Sequence, residues 1–177
     1  MSTTSQTTNS QVSPILSHRR ERGGPWASTE NLTVLFTDLV GSTELAAALT
    51  LEAGGELRRK HFSMLRQAIA ASGGTEVKSL GDGVMVVFPV ASAALSCAVA
   101  MQQAVDRDNA SAERPLGLRI GLSTGEVIGE TDDYFGDPVI EAPRLCAQAD
   151  GGQILVTDLV RATDTTGPRA PRRGPLR

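Results

Sequence analysis

The sequence predicts one α+β domain, built as an antiparallel sheet with helices packed on it, and three observations lead to this class. Short apolar runs typical of buried strands alternate with longer segments in which apolar residues recur every three or four positions. Glycine-rich turns separate these segments. Their order, β-α-β-β-α-β, is the split arrangement of ferredoxin-like domains, in which we expect the helices to lie on one face of the sheet.

Each predicted element rests on its own pattern. Strands are predicted where apolar, β-prone runs end at turn residues, at residues 32–37, 75–79, 84–88, 116–123, 126–129 and 153–157. Helices are predicted where an apolar stripe has helical spacing, at residues 56–71, 91–106 and 139–148. Ser42 and Thr43 are candidate caps of a further helix, and Gly54 with Gly55 is expected to interrupt the chain before residue 56.

Length and composition restrict the domain organisation. The 177 residues suffice for one domain, which we place at residues 31–162. Residues 1–30 are mostly polar and predict a disordered tail, and residues 163–177 predict a tail rich in proline and arginine. We therefore expect a single folded unit between two tails.

The charge and apolar patterns exclude several classes of function and location. A net charge of −3 argues against a nucleic-acid-binding protein, which needs a basic face. No apolar run approaches the roughly 18 residues of a membrane span, and the N-terminus lacks a signal-peptide pattern. Cys97 and Cys146 have no metal-site spacing and are expected to be inert thiols. These features predict a cytoplasmic protein with no nucleic-acid or membrane partner.

Two aspartates lie at turns that a ferredoxin-like sheet brings together. Asp38 ends the first strand, and Asp82 lies at the tip of the hairpin that joins strands 75–79 and 84–88. The first strand of such a sheet lies beside that hairpin, so the two carboxylates can meet. Carboxylate and phosphate oxygens suit hard divalent cations. We therefore favour a metal site over the alternative of a helix-capping aspartate and a turn aspartate.

The loop after Asp38 suits an anion. Val40, Gly41, Ser42 and Thr43 lead from the strand into a helix N-terminus. Backbone N–H groups at a helix N-terminus lack intrahelical partners, and the helix dipole favours negative charge there. The loop is therefore a candidate binding site for a polyphosphate.

Four motifs resemble those of the class III adenylate and guanylate cyclase catalytic domains. In chain order they are Phe-Thr-Asp-Leu-Val-Gly-Ser-Thr, Lys-Ser-Leu-Gly-Asp-Gly, Leu-Arg-Ile-Gly-Leu-Ser-Thr-Gly and Asp-Tyr-Phe-Gly-Asp. The resemblance extends over about residues 32–160. It implies the nucleotide cyclase variant of the ferredoxin-like fold, and a homodimer whose two active sites form at the interface.

The resemblance assigns roles to individual residues of this chain. One protomer is expected to bind two metal ions, Mg²⁺ or Mn²⁺, through Asp38, Asp82 and the backbone carbonyl of Leu39. The other protomer is expected to contact adenine through Lys78 and Asp133, with the neighbouring Asp132 as an alternative. A lysine donates to adenine N1 and a carboxylate accepts from the N6 amine, whereas guanine presents the reverse pattern. The pair therefore predicts ATP as the substrate.

The implied reaction is attack of the ribose 3′-oxygen on the α-phosphorus, which releases pyrophosphate and forms cyclic AMP. Arg144 corresponds to the arginine that stabilises the transition state in the family. Two positions depart from the family pattern. Ile140 replaces an asparagine that orients the ribose, and Pro143 falls inside the predicted helix, where it removes a backbone hydrogen bond. We therefore expect a slow enzyme.

Three alternatives to this function remain open. The departures at Ile140 and Pro143 suit a cyclase-homology domain that binds nucleotide or a partner domain with little or no turnover. A diguanylate cyclase has the same core, but its Gly-Gly-Asp/Glu-Glu-Phe signature is absent. A ferredoxin-like interaction domain would require every motif to be coincidental.

Outside the motifs, His61 is predicted to be a half-exposed surface residue.

Overall fold

The computed structural model of the protein describes residues 28–42, 49–113 and 115–163. The six strands are β1 (Ser28–Val40), β2 (Thr75–Leu80), β3 (Gly83–Phe88), β4 (Gly117–Glu130), β5 (Asp133–Phe135) and β6 (Ile154–Val156). The helices with both ends among the described residues are α1 (Leu51–Ala71), α2 (Ala91–Asn109), α3 (Asp137–Gln148) and α4 (Asp158–Thr163). Most of the two predicted tails, at residues 1–27 and 164–177, lies outside the described residues.

The strands form one sheet in the order β2-β3-β1-β4-β5, and β6 pairs with β4. The central strand β1 runs antiparallel to both of its neighbours, β3 and β4. The predicted α+β class is thereby confirmed. The sheet is mixed and not purely antiparallel, because β6 runs parallel to β4.

Strand β1 is longer than its apolar run. It begins at Ser28, because it pairs with β4 along its whole length, from Ser28 opposite Gly129 to Val40 opposite Gly117. The predicted boundary at residue 30 therefore falls inside the strand. Polar residues at the start of a strand resemble a tail when the partner strand is not known.

Strand β4 joins two segments that the sequence predicts as separate strands. Thr124 and Gly125 were expected to end the first of them, but both pair with β1, opposite Thr33 and Leu32. The hydroxyl groups of Thr33 and Thr124 are also hydrogen-bonded at 3.0 Å. The cross-strand partner thus overrides the local preference of glycine for a turn.

Helix α1 begins at Leu51, so the predicted interruption at Gly54 and Gly55 is wrong. The side chain of Thr50 caps the helix by accepting a hydrogen bond from the Ala53 N–H at 3.3 Å. Glycine inside a helix costs about 1 kcal/mol relative to alanine. The cap and the burial of the apolar side of the helix, which includes Leu65, offset this cost.

Helices cover both faces of the sheet, whereas the sequence analysis expected them on one face. Helices α1 and α2 pack on the face that carries Leu35, Val86 and Ile120. Helix α3 packs on the opposite face, where Ala142 and Cys146 contribute to a second apolar cluster. Alternate residues of the central strands supply the two clusters, as the two-residue period of a strand requires.

A glycine lets α3 approach the sheet closely. A Cβ atom on Gly121 of β4 would lie 2.1 Å from the Ala142 carbonyl oxygen and 2.4 Å from the Cys146 nitrogen. Such contacts are sterically impossible, so only glycine fits at this crossing.

Three shorter features complete the comparison with the predicted elements. Strand β5 and helix α4 were not predicted, because three and six residues are too few for a periodic pattern to emerge. The helix predicted after Asp38 begins at Ser42, and its other cap candidate, Thr43, lies outside the described residues.

In the described part of the chain, no helix has the length and apolar character needed to cross a membrane.

Candidate active site

The two predicted metal-binding aspartates lie on adjoining elements. The pairing of β1 with β3 sets Phe36 opposite Met85, and continuation of this register places Asp38 opposite Gly83. Asp82 precedes Gly83 in the turn between β2 and β3. The hairpin therefore brings Asp82 beside the end of β1, as the sequence predicts.

The close approach of the hairpin to β1 depends on Gly83. A Cβ atom at this residue would lie 1.8 Å from the carbonyl oxygen of Thr37 and 3.4 Å from the Cα atom of Asp38. The hydroxyl of Thr37, which is buried, accepts a 3.0 Å hydrogen bond from the backbone N–H of Val84. These contacts fix the turn against the strand that carries Asp38.

A cation, Arg119, lies on β4 beside the end of β1 that carries Asp38. Arg119 on β4 is the cross-strand neighbour of Asp38, and its Nη2 donates to the Oδ2 of Asp38. This hydrogen bond raises the pKa of the guanidinium, and the charge of Asp82 raises it further. Arg119 is therefore paired directly with Asp38, and Asp82 acts on it only as a nearby charge.

Arg119 is a residue to which the sequence analysis gave no role. It stands in the Leu-Arg-Ile-Gly motif, so it was visible as part of the resemblance. Its partner became clear only from the register of β1 with β4. An alternating apolar pattern with one interior arginine, Leu118-Arg119-Ile120, is the signal that indicates a charged partner on a neighbouring strand.

The donor set fits a divalent cation of the Mg²⁺ or Mn²⁺ type. Asp38 and Asp82 supply carboxylate oxygens, and Leu39 can supply only a backbone carbonyl because its hydrocarbon side chain has no ligand atom. Among the described residues no group of three or more His, Cys, Asp and Glu side chains could hold a metal ion by itself. Two carboxylates and a carbonyl leave coordination positions for phosphate oxygens and water, as is usual for Mg²⁺.

Lys78 and Asp133 come together although strands β3, β1 and β4 separate β2 from β5 in the sheet order. Lys78 Nζ lies 2.6 Å from Asp133 Oδ2, and each side chain is 38% exposed. The other carboxylate oxygen of Asp133 accepts from the Tyr134 N–H at 2.9 Å. The hydrogen bond from Lys78 is the main cause that lowers the pKa of Asp133. The contact belongs to Asp133 and not to Asp132, which lies in the preceding turn.

The remaining predicted residues are placed as follows. Val40 ends β1 and is half exposed, and Gly41 follows with a φ of 72°, which favours glycine. Ser42 is helical, and Thr43 lies outside the described residues. This part of the chain thus turns directly from strand to helix, as expected for the proposed polyphosphate loop.

Arg144 is exposed on α3 and makes no ion pair with Asp38 or Asp133. Ile140, one turn earlier, is 50% exposed, and the helix continues through Pro143. The neighbouring Glu141 accepts a 2.7 Å hydrogen bond from the Ser123 hydroxyl. The surface of α3 near Arg144 therefore offers an apolar side chain where the family pattern has an asparagine.

His61 is buried, so its prediction as a half-exposed residue is wrong. Its ring is 1% exposed on the inner side of α1 and faces the backbone of Asp82. Neither ring nitrogen makes a hydrogen bond of normal geometry with a described residue. Burial lowers the pKa of His61, which keeps the ring neutral.

The sequence of this chain is similar to those of nucleotide cyclases. The family model described as adenylate and guanylate cyclase catalytic domain matches residues 25–174. A pH-sensitive adenylate cyclase of Mycobacterium tuberculosis is 32% identical over 151 residues, which make up 85% of this chain and 37% of that protein. The chain therefore spans little more than a third of the length of this relative.

Solved structures with the same fold include cyclases of both nucleotide types. The adenylyl cyclase CyaB from P. aeruginosa is 28% identical with a TM-score of 0.71, over 78% of this chain and 82% of that one. The guanylyl cyclase Cya2 is 27% identical with a TM-score of 0.72, over 84% of each chain. The fold alone therefore does not decide between ATP and GTP.

Proposed function

The chain belongs to the family of adenylate and guanylate cyclase catalytic domains, and we propose that it converts ATP to 3′,5′-cyclic AMP and pyrophosphate. The observation that carries the choice of ATP is the ion pair between Lys78 and Asp133. The names of the relatives, several of which are adenylate cyclases, agree with it.

The chemistry of the pair favours adenine. The ammonium of Lys78 is a donor only, and the ionised carboxylate of Asp133 is an acceptor only. Adenine presents an acceptor at N1 and a donor at N6, so each group finds a partner. Guanine presents a donor at N1 and an acceptor at O6, which would leave two like groups facing each other at each position. Unpaired polar groups of this kind discriminate strongly between substrates.

Asp38, Asp82 and the Leu39 carbonyl would hold the two metal ions, which when bound lower the pKa of the 3′-hydroxyl and neutralise the triphosphate. The 3′-hydroxyl gives its proton to water, its oxygen forms a bond to the α-phosphorus, and the bond from that phosphorus to the bridging oxygen breaks. Pyrophosphate leaves with that oxygen. Arg119 balances the charge of Asp38 and Asp82 before the metal ions bind.

The separation of the two groups of residues supports a homodimer. In the described part of one chain, no hydrogen bond or ion pair joins Lys78 or Asp133 to Asp38 or Asp82, so we propose that each active site combines groups from two protomers. Large apolar side chains are exposed near Asp133, namely Ile128 and Phe135, which are 42% and 50% exposed. Their exposure supports a protein partner on this side of the sheet.

A second candidate function rests on Ile140. An exposed isoleucine cannot donate a hydrogen bond to the ribose, so the chain would bind nucleotide or a partner domain with little or no turnover. The pair of Lys78 and Asp133 would then serve for nucleotide binding alone. This candidate shares every binding residue with the first and differs in product formation.

The experiment that separates the two is an assay of the purified chain with ATP or GTP, each with Mg²⁺ or Mn²⁺. Formation of cyclic AMP that depends on the metal ion, with little cyclic GMP, supports the adenylate cyclase. A dimer that binds ATP and forms no product under any of the four conditions supports the binding domain. Cyclic GMP as the main product would contradict the proposed role of Lys78 and Asp133.

A further inference from the structure

Strand β2 contains an irregularity immediately before Lys78. Glu76 pairs with Val86 and Lys78 pairs with Met85, so two steps along β2 correspond to one step along β3. Val77 is the extra residue, and the irregularity is a β-bulge. Bulges of this kind redirect the side chains that follow them.

The bulge separates two side chains that a regular strand would keep together. Residues two apart in a regular strand point to the same face of the sheet. Here Glu76 lies opposite Val86, whose side chain belongs to the core under α1 and α2. Lys78 lies opposite Met85, whose side chain belongs to the cluster under α3. The bulge thus turns Glu76 toward α1 and Lys78 toward Asp133.

A network on the α1 face spans the bulge. Arg66 of α1 binds Glu76 through two hydrogen bonds, Nε to Oε2 at 2.8 Å and Nη2 to Oε1 at 2.9 Å. Ser79 donates from its hydroxyl to the same carboxylate at 3.1 Å. Glu76 precedes the bulge and Ser79 follows it, so the carboxylate joins the two sides. The guanidinium of Arg66 is also held over the Phe62 ring, 5.3 Å from its centroid.

We propose that Arg66 and Glu76 are specificity-determining positioning residues, which hold the Val77 bulge in the register that directs Lys78 to Asp133. If the residues after the bulge slipped by one position, Lys78 would lie opposite Val84 and point to the face of α1. The donor for adenine N1 would then be lost. This inference rests on the proposed function, because it concerns the residues that recognise the base.

The pair contributes to position more than to stability. The Arg66 side chain is 55% exposed, and exposed ion pairs contribute little to the free energy of unfolding. Its two parallel hydrogen bonds nevertheless fix the direction of the Glu76 carboxylate. Loss of the pair is therefore expected to change the choice of base at nearly constant thermal stability.

The chain offers two matched controls on the same helix. Arg59 is exposed and makes no ion pair with a described residue, so Arg59→Ala tests the loss of a helix cation alone. Arg58 anchors the other end of the hairpin, because its Nη2 donates to the Gly81 carbonyl at 2.8 Å. Arg58→Ala therefore loosens the turn without touching the bulge.

The test compares Arg66→Ala, Glu76→Ala and the double variant with these controls. Each single variant should lower the ratio of kcat/KM for ATP to kcat/KM for GTP by about tenfold. The double variant should be no worse than either single one, because the two residues act as a unit. Arg59→Ala should leave the ratio unchanged, and Arg58→Ala should alter the metal concentration required without altering the ratio.

A second readout needs no activity. In the nucleotide-free protein, the pKa of Asp133 followed by carbon NMR should rise toward its ordinary value in Arg66→Ala and Glu76→Ala, and should not change in Arg59→Ala. An unchanged Asp133 pKa and an unchanged ATP to GTP ratio in folded variants would overturn the inference. If the wild-type chain forms no cyclic nucleotide, the proposed function fails, whereas the Asp133 titration still decides whether Arg66 and Glu76 position Lys78.

Discussion

Lys78 and Asp133, fifty-five positions apart in the chain, form an ion pair of 2.6 Å in the absence of any nucleotide. The hydrogen bond from Lys78 lowers the pKa of Asp133, which favours the charged carboxylate that would meet adenine. A lowered pKa means that the pair is complete at neutral pH and is lost only as the pH falls through that lowered value. The ion pair is thus ready for an adenine edge throughout the physiological range.

The first prediction concerns Lys78. Lys78→Glu replaces a hydrogen-bond donor with an acceptor and places a second negative charge beside Asp133. The kcat/KM for ATP should therefore fall by about a hundredfold or more. Steady-state kinetics with ATP and GTP measure the change. Lys60→Glu, which reverses an exposed cation paired with Asp108 on α2, is the control and should leave both substrates unaffected. An unchanged ATP to GTP ratio in Lys78→Glu would remove the proposed role of Lys78.

The second prediction concerns Asp38. Asp38→Ala should abolish product formation, because it removes a metal-binding carboxylate and leaves Arg119 in the site without its ion pair. The cost in stability should be small, about 1 kcal/mol, because both side chains are partly exposed. Product assays combined with thermal unfolding separate the two effects. Asp106→Ala on the exposed side of α2 is the control, and persistent turnover in folded Asp38→Ala would contradict the metal assignment.

The third prediction concerns Gly83, which determines how closely the hairpin approaches β1. Gly83→Ala places a methyl group 1.8 Å from the Thr37 carbonyl oxygen, so backbone must move. We expect a loss of about 3 kcal/mol or more in the free energy of unfolding, measured by urea denaturation. Gly54→Ala is the matched control. Its Cβ would meet nothing within 4 Å, and alanine should stabilise the helix by about 1 kcal/mol. If Gly83→Ala and the wild type had the same free energy of unfolding, the hairpin of β2 and β3 would not approach β1 as closely as the structure indicates.

The chain order of β1, α1, β2, β3 and α2, and the positions of Asp38 near a strand end and Asp82 in a turn, could be predicted from the sequence, because they depend on local patterns. Apolar runs with turns between them locate β2 and β3, and Asp82 lies in a short turn that leaves little choice of position. Arg119 could not be assigned a partner in this way, since only the register of β1 with β4 sets it opposite Asp38. The exposure of His61 was likewise mistaken, although the spacing offered a signal: His61 lies four residues from both Leu57 and Leu65, on the apolar side of α1.

The bulge at Val77 is a further feature that sequence patterns do not show. In a regular strand Glu76 and Lys78 would point to one face and Ser79 to the other, and nothing in residues 75–80 indicates a departure from this pattern. The faces become clear only from the partners Val86, Met85 and Val84 on β3. Register is a property of two strands together, which explains why a reading of one strand misses it.

The fourth prediction concerns the two thiols. Cys97 and Cys146 are 0% and 3% exposed, and burial raises the pKa of each to about 11. Because the thiolate is the reactive form, both should react slowly with a disulfide reagent at pH 8 in the folded protein. In urea both should react fully and fast, since the thiols regain their ordinary pKa. Rapid modification of either cysteine under native conditions would contradict its burial.

The most direct test of the central claim, that two protomers share each site, is complementation between two inactive variants. Asp38→Ala and Lys78→Ala should each form almost no cyclic AMP alone. When they are mixed and allowed to exchange subunits, each heterodimer regains one site that has an intact Asp38 from one protomer and an intact Lys78 from the other. An equal mixture should therefore reach about a quarter of the wild-type rate of cyclic AMP formation. If native mass spectrometry shows that heterodimers form and no activity returns, the shared-site account is wrong.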